Sequence, residues 1–191
     1  MMFALSERAQ DFITRTQAFI QQEIEPIEKA FWDEVHQLNV DGDWTKWQWP
    51  AQLEQLKTKA KAAGLWNMFL PDAELGAGLS VQEYAHIAEL TGRSLLAPTV
   101  FNCNAPDSGN MELLWRYGSR EQKQQWLQPL LAGEIRSVFC MTEPAVASSD
   151  ATNMQATAVI DGDEIVLNGR KWWSSGLGDP NAKVIIFMAY T

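Results

Sequence analysis

Near Ile135 the spacing of apolar residues changes from helical to strand-like, and this one break sets the architecture before composition is considered. Upstream, Leu5, Ala9, Phe12, Ile13, Thr16, Phe19 and Ile20 recur at steps of three and four. That is the stripe of an amphipathic helix, expected to stop near Pro26, where an amide donor is missing. Pro50 stands where another helix can begin, with Leu53, Leu56 and Ala60 on one side and Gly64 placed to end it. Ser80 with Glu83 is a capping-box signature for a helix reaching about Gly92. A short helix fits 107–118, and Ser119 with Gln122 opens one that ends by Gly133. About five helices therefore precede the first strand. Downstream, strands are expected at 137–141, at 155–160, after Asp161-Gly162, after Asn168-Gly169 and from Lys183 onward. Both dipeptides are hairpin signals, because their residues tolerate positive φ. The fold class expected is α+β: an all-α helical N-terminal domain, 1–134, then an antiparallel, β-barrel-like middle domain, 135–191. Because the apolar run 184–188 lies so close to Thr191, the β domain reads as truncated, with a flat edge left unpaired.

Charge narrows the partners. In 191 residues, 15 Lys and Arg face 24 Asp and Glu, a net charge of −9, which repels nucleic acid and anionic membranes. Lys57, Lys59 and Lys61 read as a solvated helix face. Trp44, Trp47 and Trp49 lie in a polar stretch without basic partners, so loop packing explains them better than a stacking platform. Cys103 and Cys140 are too few for a disulfide framework, and a reduced, intracellular setting is expected, cytoplasmic if the source is bacterial. The stretch 184–190 is too short to span a bilayer, and 1–8 lacks the pattern of a secretion signal. With His36 and His86 the only histidines, neither a histidine base nor a multi-histidine metal site is expected.

Two stretches can carry chemistry. The first, 139–150, runs from Phe139 through Met141, Thr142, Glu143 and Pro144 to Ser148, Ser149 and Asp150. It is a strand entering a loop of hydroxyls and small residues, and taken alone a simple Asx or Ser turn explains it better than a ligand-facing edge does. The second, 167–176, holds Trp172, Trp173, Ser174, Ser175 and Gly176 one hairpin later. Together they resemble the acyl-CoA dehydrogenase family, in which a Thr-Glu-Pro loop and a Trp followed by a hydroxyl residue hold FAD. The likeness extends over the whole chain, through Ala62-Ala63-Gly64-Leu65-Trp66, Gly76-Ala77-Gly78-Leu79-Ser80 and Tyr117-Gly118-Ser119. The stretch from Phe101 to Asp107, with Ser148-Ser149-Asp150 and Trp172-Trp173, is most similar to the branch of family members ten and eleven.

By that resemblance, Phe139, Met141 and Thr142 line the flavin, Trp173 covers part of its ring system, and Ser175 bonds near flavin N5. Ser149 matches the residue that meets CoA, although a one-residue insertion leaves Ser148 as an alternative. The resemblance assigns no catalytic residue here: the base is expected in a later helical domain, and Glu143 and Asp150 are expected to shape loops. The implied activity is oxidation of acyl-CoA to trans-2-enoyl-CoA, as in fatty acid β-oxidation, by α-proton abstraction and β-hydride transfer to flavin. An electron-accepting flavoprotein and a homo-oligomer are implied partners. Family members are about twice this length, so the chain is expected to be an N-terminal portion, inactive alone. A non-catalytic binding module on the same scaffold is the competing expectation.

Overall fold

The computed structural model describes residues 4–191; Met1 to Phe3, part of the segment read for a secretion signal, lie outside it, as does the Trp44 side chain. Helix α1 (Glu7–Phe19) begins at Ser6, whose hydroxyl accepts the Ala9 N–H. It does not stop at Pro26. A π turn, Ile20–Ile24, carries it into α2 (Glu25–Leu38), which has Pro26 in its first turn. There the Glu25 N–H reaches back five residues to the Ile20 carbonyl, and the widened turn accommodates a residue that has no donor.

Next come α3 (Gln52–Ala62), closed by Gly64 at φ +66°, and α4 (Val81–Thr91), opened by the Ser80–Glu83 capping box. The four-residue α5 (Ala97–Val100), too short to show a periodic stripe, precedes α6 (Asp107–Tyr117). Helix α7 (Arg120–Gln122) passes through a second π turn, Lys123–Leu127, into α8 (Gln128–Ala132), ended by Gly133 at φ +72°. Pro129 stands to this π turn as Pro26 stands to the first.

These helices bury one apolar cluster built on Ile24, Phe31, Leu65, Ile87 and Phe101, and a second on Leu70, Met111, Leu127 and Leu130. Full burial of one such side chain stabilises by about 1.5–3 kcal/mol. Trp47 and Trp49 pack edge to face, 5.8 Å between ring centroids, and Trp49 stacks on Phe31, so loop aromatics extend the first core. Glu83 ties α1 to α4, accepting from the Ser6 and Ser80 hydroxyls at 2.5 and 2.9 Å.

The β portion corrects the expected antiparallel barrel. Strand β1 (Arg136–Cys140) pairs in parallel with β4 (Ala182–Phe187), while β2 (Thr157–Asp161) and β3 (Glu164–Asn168) form a separate antiparallel hairpin; the described residues form no closed barrel. Hairpin dipeptides report only local reversals, whereas β1 and β4 meet through a long crossover that no dipeptide signals. Asp161 lies opposite Glu164, with Gly162 at φ +60°, so the first dipeptide does turn the chain. Asn168-Gly169 does not. A Cβ on Gly169 would come within 2.5 Å of the Ala156 Cβ, so glycine serves a close backbone crossing, and no strand follows it directly. The last apolar run is paired on one side: β4 lies on β1, and Tyr190 exchanges backbone bonds with Ala156 and Ala158 beside β2, while among the described residues no strand lies on the other edge of β4.

Helical and β portions meet at Asp107. Its Oδ1 accepts from the Ser137 N–H and hydroxyl at 2.7 and 2.6 Å, and Oδ2 forms an ion pair with Arg136 that is a charge contact and not an aligned hydrogen bond. Asn110 donates to the Ser137 hydroxyl at 2.8 Å. Val184 of β4 and Ile135 pack on the second helical cluster, and because β1 and β4 run parallel with Ser137 opposite Val184, these contacts anchor the starting ends of both strands on the helices.

Candidate functional site

Strand β1 ends at Cys140 because the chain turns into the loop that holds Glu143. Glu143 is buried. Its Oε1 accepts from the Ala156 N–H at 3.0 Å and from Lys171 Nζ at 2.8 Å, and its Oε2 accepts from the Gln155 N–H at 2.8 Å. Lys171, followed by these amides, holds the carboxyl at about 2, far below its ordinary range. A carboxylate so engaged is a poor proton acceptor near neutral pH. Asp150 caps its own turn through Thr152, and that hydroxyl lowers its pKa.

The loop also separates the two candidate serines. The buried Ser148 hydroxyl accepts from the Glu143 N–H at 2.6 Å and is thereby occupied inside the loop, whereas Ser149 is exposed. The structure therefore leaves Ser149 the freer of the two to meet a ligand.

The second stretch lies against the first. The Trp172 N–H donates to the Thr142 carbonyl at 3.0 Å, and a Cβ on Gly176 would lie 3.4 Å from Val138. Residues 172–176 thus run back along β1, and the turn Ser175–Gly178 ends beside its start. Trp173, at φ +57°, points its ring outward with 79% exposure, its centroid 5.4 Å from that of Trp172. Phe139 is partly exposed, Met141 half-buried, and Thr142 and Ser175 are exposed. Among the described residues no hydrogen bond within the chain engages the hydroxyl of Thr142 or Ser175.

Ser175 also borders a cleft of about 510 Å³ between the helical and β portions, lined on the other side by Trp47, Trp49, Asn104 and Pro106 and floored by Arg136. The Trp49 indole N–H approaches Asp179 at 3.4 Å across this boundary. Sequence reasoning missed these helical-side residues and also Lys171. A lone lysine ahead of two tryptophans is the only signal Lys171 offers, and its meeting with Glu143 depends on the fold. His36 and His86 are exposed helix residues away from the cleft, and among the described residues no cluster of metal-ligating side chains occurs. Cys103 is held as a thiol, burial pushing its pKa up to about 11, and Cys140 is buried in β1.

A flat exposed ring, a neighbouring polar loop and two unengaged hydroxyls gathered beside β1 have the chemistry to meet the edge and face of a flavin. Comparisons with known proteins bear on the family of the chain. Residues 6–134 match the acyl-CoA dehydrogenase N-terminal domain and residues 138–191 the acyl-CoA dehydrogenase middle domain. Acyl-CoA dehydrogenase family member 11 of Rattus norvegicus is 50% identical over 190 residues, which is all of this chain and 24% of that protein. A Mycobacterium abscessus protein solved as an acyl-CoA dehydrogenase is 62% identical with a TM-score of 0.89, over 97% of this chain and 46% of its own. A glutaryl-CoA dehydrogenase from Mycobacterium smegmatis in complex with FADH2 is 26% identical with a TM-score of 0.58, over 88% of this chain and 39% of its own. The chain thus spans about a quarter of the curated relative's length and under half that of the solved ones.

Proposed function

We propose, for a chain that belongs to the acyl-CoA dehydrogenase family, that it supplies the helical portion and one flavin-facing wall of an FAD-dependent enzyme oxidising acyl-CoA to trans-2-enoyl-CoA. The observation that carries this reading is the bond from the Trp172 N–H to the Thr142 carbonyl, which makes the Thr-Glu-Pro loop and the exposed Trp173 ring neighbours. Phe139, Met141 and Thr142 would line the cofactor, with Thr142 at its polar edge, Trp173 over its face and Ser175 offering a hydroxyl beside it. Bound FAD supplies the hydride acceptor, and the chain's own residues bind and orient it. Ser149 is the candidate for the CoA end of the substrate.

Glu143 has no part in proton abstraction on this reading, since its oxygens are committed to Lys171, Gln155 and Ala156. The base belongs to residues other than those named here. An electron-accepting flavoprotein and a second copy of the enzyme are the partners that family membership supports. The test is anaerobic addition of saturated acyl-CoA thioesters to the FAD-loaded enzyme that carries this chain. Loss of the flavin's visible absorbance with formation of the trans-2-enoyl product is expected; flavin that stays oxidised across a range of acyl lengths would contradict the proposal.

A further inference from the structure

Lys171 is a long, ordinarily solvated cation, yet its side chain is only 5% exposed and it faces a Glu143 side chain only 4% exposed. Burial on that scale is costly unless every donor finds a partner. Here they do. Nζ donates to the Met141 carbonyl at 2.9 Å and to Glu143 Oε1 at 2.8 Å, touches Met154 Sδ at 3.5 Å, and lies 5.1 Å from the centre of the Phe187 ring on β4. Glu143 passes the connection on, accepting from the Gln155 and Ala156 amides that lead into β2. The two side chains therefore join the end of β1, the loop after it, the approach to β2 and the inner face of β4.

Lys171 also adjoins Trp172, whose amide bonds the Thr142 carbonyl one residue beyond the carbonyl that Lys171 itself holds. One lysine thus grips the first stretch with its side chain, while its chain neighbour grips it with backbone. We propose that Lys171 and Glu143 form a clasp that sets the spacing between 139–142 and 172–175, making Lys171 a positioning residue for the flavin-facing wall. This rests on the flavin reading above, but the clasp itself can be observed without flavin. It is also directional. Glu143 must accept from two amides, which a lysine in its place cannot do, and Lys171 must donate to a carbonyl, which a glutamate cannot do. Exchanging the two charges should therefore fail to restore the site, whereas a simple Coulombic pair would tolerate the exchange.

The test uses Lys171→Met, Lys171→Arg and the double exchange Glu143→Lys with Lys171→Glu. Amide hydrogen exchange on the 191-residue chain reads the Trp172 and Ala156 amides, and FAD titration with the bound-flavin spectrum reads the site in the complete enzyme. Lys171→Met keeps the apolar contacts to Met154 and Phe187, so it is expected to melt cooperatively, lose protection at both amides, weaken FAD on the order of tenfold and shift the flavin band. Lys171→Arg should recover part of each, and the double exchange should recover none. If Lys171→Met does not melt cooperatively, Lys171→Arg and Glu143→Gln carry the same comparison with smaller losses. Unchanged amide protection in Lys171→Met, lost protection with unchanged FAD affinity, or full recovery by the double exchange would each overturn the clasp. A wild-type complete enzyme that binds no FAD would overturn the flavin reading instead, and amide protection would then judge the clasp alone.

Discussion

The helical portion turns its apolar residues inward and the β portion turns many of them outward. Phe31, Ile87 and Phe101 are sealed in a continuous core, whereas Val159, Ile160 and Ile165 on the β2–β3 hairpin stand exposed, Ile160 by 79%. The two portions hold themselves together by different means. The helices rest on a continuous buried core, whereas the β portion adds to a small buried set, Val138, Cys140, Met154 and Ala156, two polar anchors, Asp107 with Ser137 and Glu143 with Lys171, which hold short strands in place. The exposed Trp173 ring and the unengaged Thr142 and Ser175 hydroxyls all lie on the polar-anchored side. A rigid scaffold that supports a sparsely packed, outward-facing edge is an arrangement suited to holding a ligand.

The comparison breaks most visibly if the portions are separated. A chain ending at Glu134 should keep its helical circular dichroism and melt cooperatively, while 135–191 alone should show no cooperative transition, because two two-stranded sheets are marginal in water. Cooperative melting of both pieces would mean that the β portion has a core of its own. At the next scale, Phe31→Ala should cost about 3–5 kcal/mol by cavity formation, against at most about 0.5 kcal/mol for Ile160→Ser on the exposed hairpin. Urea denaturation decides this, and similar losses at the two sites would remove the contrast.

What was legible in the sequence follows the same division. Helix ends were readable where a side chain or a glycine closes them locally, as at Ser80, Gly64, Ser119 and Gly133. Pro26 misled because the sequence shows a missing donor but not the π turn that absorbs it. In the β portion only the Asp161-Gly162 reversal was local; the β1–β4 pairing and the close approach of Gly169 to Ala156 depend on distant chain. The two stretches 139–142 and 172–175 stood out by residue type, and the bond that makes them neighbours lies across thirty residues. For Lys171 and the helical side of the cleft, Trp47, Trp49 and Asn104, no local signal told which distant residues they meet.

Smaller effects sharpen the contrast at single groups. In the FAD-loaded enzyme, Ser175→Ala should slow flavin reduction by a lost neutral hydrogen bond of about 0.5–1.5 kcal/mol, roughly two- to tenfold, with substrate binding little changed. Stopped-flow rates equal to wild type would remove Ser175 from the site. Acid reads the anchors. Glu83 and Glu143 are each held at about 2, Glu83 chiefly by the Ser6 hydroxyl and Glu143 chiefly by Lys171. Because folding lowers both values from 4.5, their stabilisation is complete above about pH 4.5 and is lost as the pH falls through about 2. Urea midpoints from pH 5 to pH 2 should therefore fall less steeply in Glu83→Gln and in Glu143→Gln than in wild type, and unchanged slopes would contradict both assignments.

Hydrogen exchange of the complete enzyme with and without FAD tests the central claim most directly, because it maps the flavin-facing wall without altering a residue. Slowed exchange on FAD binding, concentrated in 139–142 and 172–176 and absent from the exposed β2–β3 hairpin, is the predicted result; full FAD occupancy with no added protection in either stretch would contradict it.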